Sequence, residues 1–243
     1  MLYGLKQALR AWFEKFSIVI FSLGFVSNSH DSALFVKCTD ACHIIMSLYV
    51  DDMIITGDDI DGISVLKTEL ARQFKMKNLG SLRYFLSIEI AYSPKNYLLS
   101  QSKYVTNIFE WVRLTDNKTV DTLIEFNTMY SSSNDLLLPD PTLYHTIVES
   151  LVYLIITHPY IACVVHIVSQ FVVFPTSVHW GVLCILQYLR GTIFQSLLIP
   201  STSSLKLYAY FDTDHDSDPT DRKSVTSFCI FLGDSFISWK NKK

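Results

Sequence analysis

The chain has 243 residues, of which 49% are hydrophobic and 18% are charged, and its formal net charge at pH 7 is -3. This composition excludes a disordered chain, which combines few apolar side chains with many charges. The mild acidity argues against a small, strongly basic nucleic-acid module, but it is compatible with a larger enzyme that carries a local basic groove.

The first sixteen residues, MLYGLKQALRAWFEKF, carry charges where a secretory signal needs an uninterrupted apolar stretch, so no signal peptide is predicted. The five cysteines form no CxxC pair and are predicted to be reduced thiols of an intracellular chain, with cytoplasm and nucleus both open. Cys38, Cys42 and His43 lie close together, but no second ligand pair follows at zinc-finger spacing. A zinc site is therefore a minor alternative.

The first predicted elements are a helix and a set of strands. Trp12, Phe16, Val19 and Leu23 fall on one helical face, and Gly24 follows as a natural stop. Runs rich in Ile, Val and Tyr then predict strands at 33–36, 43–50 and 53–56.

A second helix, capped by Asp58 or Asp59, is predicted to run to about Phe74. A second hairpin, formed by strands 84–92 and 97–100, turns across residues 94–96. Ser102 is predicted to cap a further helix whose apolar residues are Tyr104, Ile108 and Trp111.

Residues 115–142 are polar and read as a linker. Helices are predicted within 143–173 and 178–190, and strands at 205–211, 225–232 and 235–239. Residues 150–189 contain no Asp, Glu, Lys or Arg, which makes a membrane span an alternative. Histidines and prolines interrupt this stretch, so two buried helices and no membrane association are predicted.

The stretch LYVDDMIITG at 48–57 places Asp51 and Asp52 between two apolar runs. One interpretation is an ordinary hairpin turn, since aspartate is common in turns. The other is a metal-binding turn, because adjacent carboxylates repel each other and a divalent cation relieves that repulsion. Carboxylate oxygens suit Mg²⁺, and two such ions can support phosphoryl transfer.

Eight ordered blocks now identify a resemblance that covers nearly the whole chain. YVDD resembles the catalytic turn of reverse transcriptases, and the surrounding blocks are similar to those of copia-type retrotransposon Pol polyproteins. The blocks are LYGLKQALRAWFEKF, LYVDDMIITG, LGSLRYFLSIEI, LSQSKYV, DPTLYHTIVESLVYL, HIVSQF, HWGVLCILQYLRGT and RKSVTSFCIFLGDSFISWKNKK.

The resemblance implies RNA-directed DNA synthesis on an RNA template and DNA primer, with dNTPs and with Mg²⁺ or Mn²⁺ held by Asp51 and Asp52. Tyr49 and Val50 would shape the floor beneath the primer end. Residues 82–100 resemble the hairpin that grips the primer. The motif that positions template and nucleotide contains Leu5, Lys6 and Gln7. Sequence-independent phosphate contacts are expected from Lys67, Arg72, Lys75 and Lys77.

The C-terminal strands resemble the start of the family's ribonuclease H domain, in which Asp212 matches the first metal-binding carboxylate. The run Asp212, Asp214, Asp216 and Asp218 is also spaced like a calcium loop. Ser217 and Lys223 replace the glycine and glutamate that such a loop needs, which argues against calcium.

The family's first polymerase aspartate precedes the LYGLKQ block, and most of its ribonuclease H motifs follow Lys243, so we expect a segment truncated at both ends. The family also shows proline at Leu9, serine at Phe211 and tryptophan at His215. It has glycine at Ser87 and Glu149, and Arg-Pro-Asp at 158–160. These differences suggest drift in a retrotransposon remnant.

The predicted fold is α+β, and it divides into four segments. They are a partial palm and thumb with the catalytic hairpin at 1–114, a linker at 115–142, a helical connection at 143–200 and a truncated ribonuclease H-like meander at 201–243. The predicted function is that of a reverse transcriptase fragment with little activity in isolation. The alternatives are a non-catalytic nucleic-acid binder, a membrane protein and a folded remnant without function.

Overall fold

The computed structural model describes residues 6–39, 42–50, 52–113, 117–123, 141–173, 175, 179–214 and 224–242; for residues 6–9, 179, 180 and 214 it describes the backbone alone. These residues form six α-helices and three antiparallel sheets, so the α+β class is confirmed. Packing divides the chain into two compact units, one ending at Leu82 and the other starting at Arg83. The four predicted segments have other boundaries than these two units. Their assignment to a palm and thumb, a linker, a helical connection and a ribonuclease H-like meander stays a prediction.

The first unit combines one sheet with two helices. Its elements are α1 (Lys6–Ser22), β1 (Val26–Ser27), β2 (Leu34–Cys38), β3 (His43–Tyr49), β4 (Asp52–Gly57) and α2 (Ile60–Phe74). The strands are ordered β1–β2–β3–β4, and each pairs with its sequence neighbour. The strand pattern read from Ile, Val and Tyr is therefore confirmed, with the two-residue β1 added.

The C-terminal end of α1 and the N-terminal start of α2 each have a local cause. α1 ends before Gly24, whose φ of +84° lies in the left-handed region that glycine tolerates without strain. Asp59 caps α2, because its carboxylate accepts a hydrogen bond from the backbone N–H of Gly62 at 2.8 Å. Of the two predicted caps, Asp59 is therefore the one used.

The core of the first unit lies between the sheet and the two helices. Ile44, Met46 and Leu48 alternate along β3 and are buried, together with Phe16 of α1 and Leu66 of α2. The ring of Phe16 stacks on Trp12 at 5.2 Å and meets Phe35 edge-on at 5.9 Å between centroids. This period-two burial is typical of a sheet with one covered face.

A tight turn joins β3 to β4. Tyr49 pairs with Asp52 in the ladder, so only residues 50 and 51 connect the strands. Val50 has φ +50° and a side chain that is 59% exposed. A β-branched residue is strained in this left-handed region, where glycine or asparagine is normal.

The second unit contains the other two sheets and four helices. Its elements are β5 (Tyr84–Phe85), β6 (Ile88–Tyr92), β7 (Asn96–Ser100), α3 (Ser102–Val112), α4 (Thr142–Leu154), a 3₁₀ turn (Pro159–Ile161), α5 (Ala162–Ser169), α6 (His179–Gly191), β8 (Leu197–Pro200), β9 (Leu207–Asp214), β10 (Val225–Leu232) and β11 (Ser235–Lys242). One sheet is ordered β5–β6–β7–β8 and the other β11–β10–β9.

The predicted single strand over 84–92 is wrong, because the chain turns in its middle. Phe85 pairs with Ile88, and the two residues between them, Leu86 and Ser87, have φ of +48° and +61°. Two consecutive positive φ values define the type I′ hairpin turn. The glycine that the family resemblance places at position 87 suits this backbone better than Ser87 does.

The predicted cap and stripe of α3 also need correction. Gln101 is the N-cap residue and makes no side-chain cap bond, whereas Ser102 is the first helical residue. Val105 and Ile108 are buried, but Trp111 is 59% exposed and lies off the packed face.

The uncharged stretch packs into the core of the second unit. Side chains of α4, α5 and α6 form one buried cluster with α3, and the Tyr144 hydroxyl donates to the Val168 carbonyl at 2.6 Å. The prediction of buried helices is therefore confirmed. None of the helices in the described part of the chain is long and apolar enough to cross a membrane.

His158 is fully buried in this core. Its Nδ1 lies 2.8 Å from the Thr157 hydroxyl, which donates to the Gln101 side-chain oxygen at 2.8 Å. Its Nε2 has no hydrogen-bond partner among the described residues. Burial lowers the pKa of His158 to about 4, against a smaller opposing effect of the Leu154 carbonyl.

The strain at Val50 predicts that Val50→Gly stabilises the first unit. Glycine removes a backbone strain of about 1–3 kcal/mol but adds about 0.4–1 kcal/mol of unfolded-state entropy, so a net gain of about 1 kcal/mol is expected. Val26→Gly is the control, because Val26 is similarly exposed at 65% but lies in a strand with ordinary φ. Urea unfolding measures both. Equal destabilisation by the two substitutions would contradict the prediction.

The buried imidazole predicts an acid-sensitive second unit. The unfolded chain protonates His158 near pH 6.5 and the fold only near pH 4, so stability is retained above pH 6.5 and falls as the pH drops to 4. The loss is roughly 3 kcal/mol. Denaturant titrations at several pH values should give His158→Gln a smaller loss than the parent. His30→Gln, on an exposed loop, should match the parent; identical pH profiles for His158→Gln and the parent would refute this account.

Candidate functional site

The candidate site is the turn between β3 and β4, and one sheet face leads to it. Met53 and Ile55 pack against the core, so Asp52, Ile54 and Thr56 lie on the opposite, open face of β4. Asp52 pairs with Tyr49, which places Tyr49 on the same face. The backbone register thus directs the exposed carboxylate of Asp52 away from the helices.

The open face is largely uncharged around this carboxylate. The strand register places on it Leu34 and Val36 of β2, Ile45 and Ser47 of β3, and Ile54 of β4. Ile45 is 39% exposed, although its β3 neighbours Ile44 and Met46 are buried. These open-face residues were not predicted as part of a site, and the sequence carries no signal for them, because Ile44, Ile45 and Met46 are all apolar although only Ile45 is exposed.

The carboxylates at the turn can be described only in part. Asp51 lies outside the described residues, so the predicted Asp51–Asp52 pair is untested. Asp52 makes no side-chain hydrogen bond or ion pair with any described residue, and its carboxylate is open to solvent. Within the described part of the chain, no three His, Cys, Asp or Glu side chains are grouped to hold a metal ion. The exposed carboxylate of Asp52, preceded in the sequence by a second aspartate, nevertheless fits the oxygen-donor chemistry of Mg²⁺.

The opposite end of the hairpin is held by backbone contacts. The backbone N–H of His43 donates to the Asp58 carboxylate, and this bond is the main cause that lowers the pKa of Asp58. A Cβ on Gly57 would lie 2.1 Å from the His43 carbonyl oxygen, so only glycine fits there. His43 is therefore engaged with Asp58, and the minor zinc alternative gains no support from the described residues.

The four predicted phosphate-binding residues lie on or after α2. Leu66 and Leu70 bury α2 against the face of the sheet opposite to Asp52. Lys67 and Arg72 are therefore not on the open face, whereas Lys75 and Lys77 follow the C-terminal end of the helix and are exposed.

Arg72 is not free in this arrangement. It donates two hydrogen bonds to Glu69, at 2.6 and 3.1 Å, and Gln73 donates a third to the same carboxylate. The hydrogen bonds from Arg72 lower the pKa of Glu69 to about 2. A phosphate group would have to compete with Glu69 for this guanidinium.

The remaining predicted residues lie in three places. Leu5 is outside the described residues, and Lys6 and Gln7 open α1 with backbone described only. Asp212 is exposed on β9 of the second unit, opposite Ser227 of β10. Asp214 ends β9 with only its backbone described. Asp216 and Asp218 lie outside the described residues, so the calcium alternative is untested there.

Comparison with known proteins supplies the family. The family model for reverse transcriptase (RNA-dependent DNA polymerase) matches residues 1–126. The chain is 35% identical over 243 residues to the retrovirus-related Pol polyprotein from transposon RE2 of Arabidopsis thaliana, covering 100% of this chain and 17% of that protein. For the Pol polyprotein from transposon RE1 of the same plant, the identity is 36% over 243 residues, with the same coverage of 100% and 17%.

A shorter relative matches along most of its own length. An uncharacterised mitochondrial protein of Arabidopsis thaliana is 38% identical over 197 residues, covering 81% of this chain and 82% of that protein. No solved structure matches the chain. The chain spans only 17% of the length of each of the two Pol polyproteins. Because the family model matches residues 1–126 and these two relatives match the whole chain, the chain belongs to the reverse transcriptase family of copia-type retrotransposon Pol polyproteins.

Proposed function

We propose that this chain carries the paired-aspartate turn of an RNA-directed DNA polymerase, and that these 243 residues alone extend primers poorly. The observation that carries the proposal is the tight β3–β4 turn, which presents Asp52 at the end of an open sheet face. On the family resemblance, a third carboxylate precedes the LYGLKQ block and is not among these residues. Polymerisation by the two-metal mechanism requires that carboxylate.

Each group at the turn has a proposed role. Asp51 and Asp52 would hold the divalent cations, which supply charge stabilisation during phosphoryl transfer. Tyr49 and Val50 would support the primer end, so that its 3′ hydroxyl lies above the open face. The two-residue turn fixes Asp52 relative to Tyr49 through the ladder, which gives the carboxylate a defined position before substrate binds.

The finer assignments rest on the same resemblance. In the first unit, the sheet with α1 and α2 would correspond to part of the palm. In the second unit, the β6–β7 hairpin would grip the primer and the β9–β10–β11 sheet would correspond to the start of a ribonuclease H domain, with Asp212 as a metal ligand. The alternative of a non-catalytic nucleic-acid binder shares the basic residues but does not require the aspartate pair.

The aspartate pair predicts a specific metal-binding result. Mn²⁺ serves as the probe because its binding can be followed directly by electron paramagnetic resonance. Asp51→Asn/Asp52→Asn should weaken Mn²⁺ binding by about tenfold or more, which is roughly 1.4 kcal/mol. Asp61→Asn is the matched control, because Asp61 is exposed in the first turn of α2 and away from the turn. Equal Mn²⁺ binding by the parent and the double variant would remove the metal-binding role.

Primer extension on an RNA template tests activity separately. With purified, folded chain and Mg²⁺, we expect no more extension than the Asp51→Asn/Asp52→Asn variant gives. Extension by the parent that the variant loses would show that the isolated chain is a polymerase and that another group replaces the third carboxylate.

The Arg72–Glu69 pair predicts a gain in nucleic-acid binding. Glu69→Gln should free Arg72 for one more phosphate contact, and should steepen the log–log salt dependence of RNA–DNA duplex binding by about 0.9. Glu14→Gln is the control, because it removes one negative charge from another Arg–Glu pair, Arg10–Glu14 on α1, which is joined by a single hydrogen bond. Fluorescence anisotropy at several salt concentrations measures both. Indistinguishable slopes for the two variants would argue against phosphate contacts from α2.

A further inference from the structure

The C-terminal end of α4 contacts the chain on both sides of the β6–β7 hairpin. The Tyr153 hydroxyl donates a hydrogen bond to the Leu86 carbonyl, in the turn directly before β6. Just after the helix, the Thr157 hydroxyl donates to the side-chain oxygen of Gln101 at 2.8 Å, directly after β7. Gln101 is fully buried and Tyr153 is half-buried. One end of one helix therefore fixes the chain where it enters and where it leaves the hairpin.

The Tyr153 hydrogen bond acts on a turn whose own residues support it poorly. Leu86 and Ser87 have φ of +48° and +61°, and neither residue type favours this backbone. A conformation of this kind persists only where the surrounding structure holds it. The ring of Tyr153 lies edge-on to Tyr104 of α3, with 5.3 Å between the centroids, so the phenol that holds the turn is itself fixed.

The hairpin is also held at its tip and along β6. The Ser201 N–H donates to the Lys95 carbonyl at 2.7 Å, and the Ser201 hydroxyl donates to the Pro94 carbonyl at 3.0 Å, which attaches the tip to the end of β8. The Lys103 N–H, in the first turn of α3, donates to the Glu89 carboxylate at 3.2 Å. A hairpin held in this way has one geometry before a ligand binds, which reduces the entropy cost of binding.

We propose that Tyr153 is a positioning residue for the β6–β7 hairpin. Its hydrogen bond to the Leu86 carbonyl sets the turn before β6, and thereby the direction in which the hairpin leaves the helical core and the surface that it presents to nucleic acid. Tyr153 acts through the turn and not by contact with the nucleic acid. This inference rests on the proposed role of the hairpin in gripping the primer.

Removal of one hydroxyl group tests the proposal. Tyr153→Phe should weaken RNA–DNA duplex binding, measured by fluorescence anisotropy, by about fivefold, which corresponds to the loss of one hydrogen bond. Tyr144→Phe is the matched control, because it removes the same kind of bond from the same helix. The Tyr144 hydroxyl donates to the Val168 carbonyl at 2.6 Å, and this bond leads to α5 and not to the hairpin. A general loss of stability affects both variants, whereas a positioning role affects Tyr153→Phe alone.

A second substitution should restore duplex binding to Tyr153→Phe. Glycine adopts a positive φ without strain, so Ser87→Gly should keep the turn in place without the Tyr153 hydrogen bond. Tyr153→Phe/Ser87→Gly should therefore bind the duplex as the parent does. Tyr153→Phe/Ser87→Ala is the control, because it removes the same serine hydroxyl but keeps a Cβ, and it should stay as weak as Tyr153→Phe.

Hydrogen exchange measures the turn in the absence of nucleic acid. The Ile90 N–H donates to the Arg83 carbonyl at 2.8 Å, which joins β6 to the residue before β5. Exchange of this amide should be about fivefold faster in Tyr153→Phe than in the parent, and Ser87→Gly should reverse the change. Mn²⁺ binding at the β3–β4 turn should be the same in all these variants, because none of them alters the first unit.

The outcomes separate this inference from the proposed function. Equal duplex binding by Tyr153→Phe and Tyr144→Phe would overturn the inference, as would unchanged exchange of the Ile90 amide in Tyr153→Phe. Tyr92→Ala/Tyr97→Ala removes two side chains of the hairpin that are 67% and 49% exposed. If this variant binds the duplex as the parent does, the gripping role of the hairpin fails together with the inference. If it binds more weakly while Tyr153→Phe does not, the inference alone fails.

Discussion

The one-sided packing of the first sheet determines where its functional groups lie. Ile44, Met46 and Leu48 are buried under α1 and α2, and the period of two along a strand then directs the intervening residues to the other face. Through the ladder, this alternation carries over to Asp52. A shift of one residue in register would bury the carboxylate against Phe16 and Leu66, so the aromatic core and the exposed aspartate depend on the same pairing.

The uncharged stretch of the second unit has two opposite effects on stability. Its helices bury apolar side chains on several sides, which explains a stretch without a single Asp, Glu, Lys or Arg between residues 150 and 189. The same core encloses His158, Thr157 and Gln101, whose polar groups are only partly satisfied among the described residues. The unit therefore combines a large hydrophobic gain with a polar cluster that is sensitive to protonation.

Sequence patterns predicted the elements well where one periodicity dominated, as in α2, β3 and β4. They failed where a local backbone conformation decided the outcome. The turn at Leu86 and Ser87 was missed because neither residue is a usual type I′ turn residue, and the glycine that signals this turn is absent. β8 was missed because its partner, β7, lies about one hundred residues earlier in the chain. At the site, the family resemblance identified Asp51 and Asp52, but the open sheet face around Asp52 could be recognised only from the strand register of the structure.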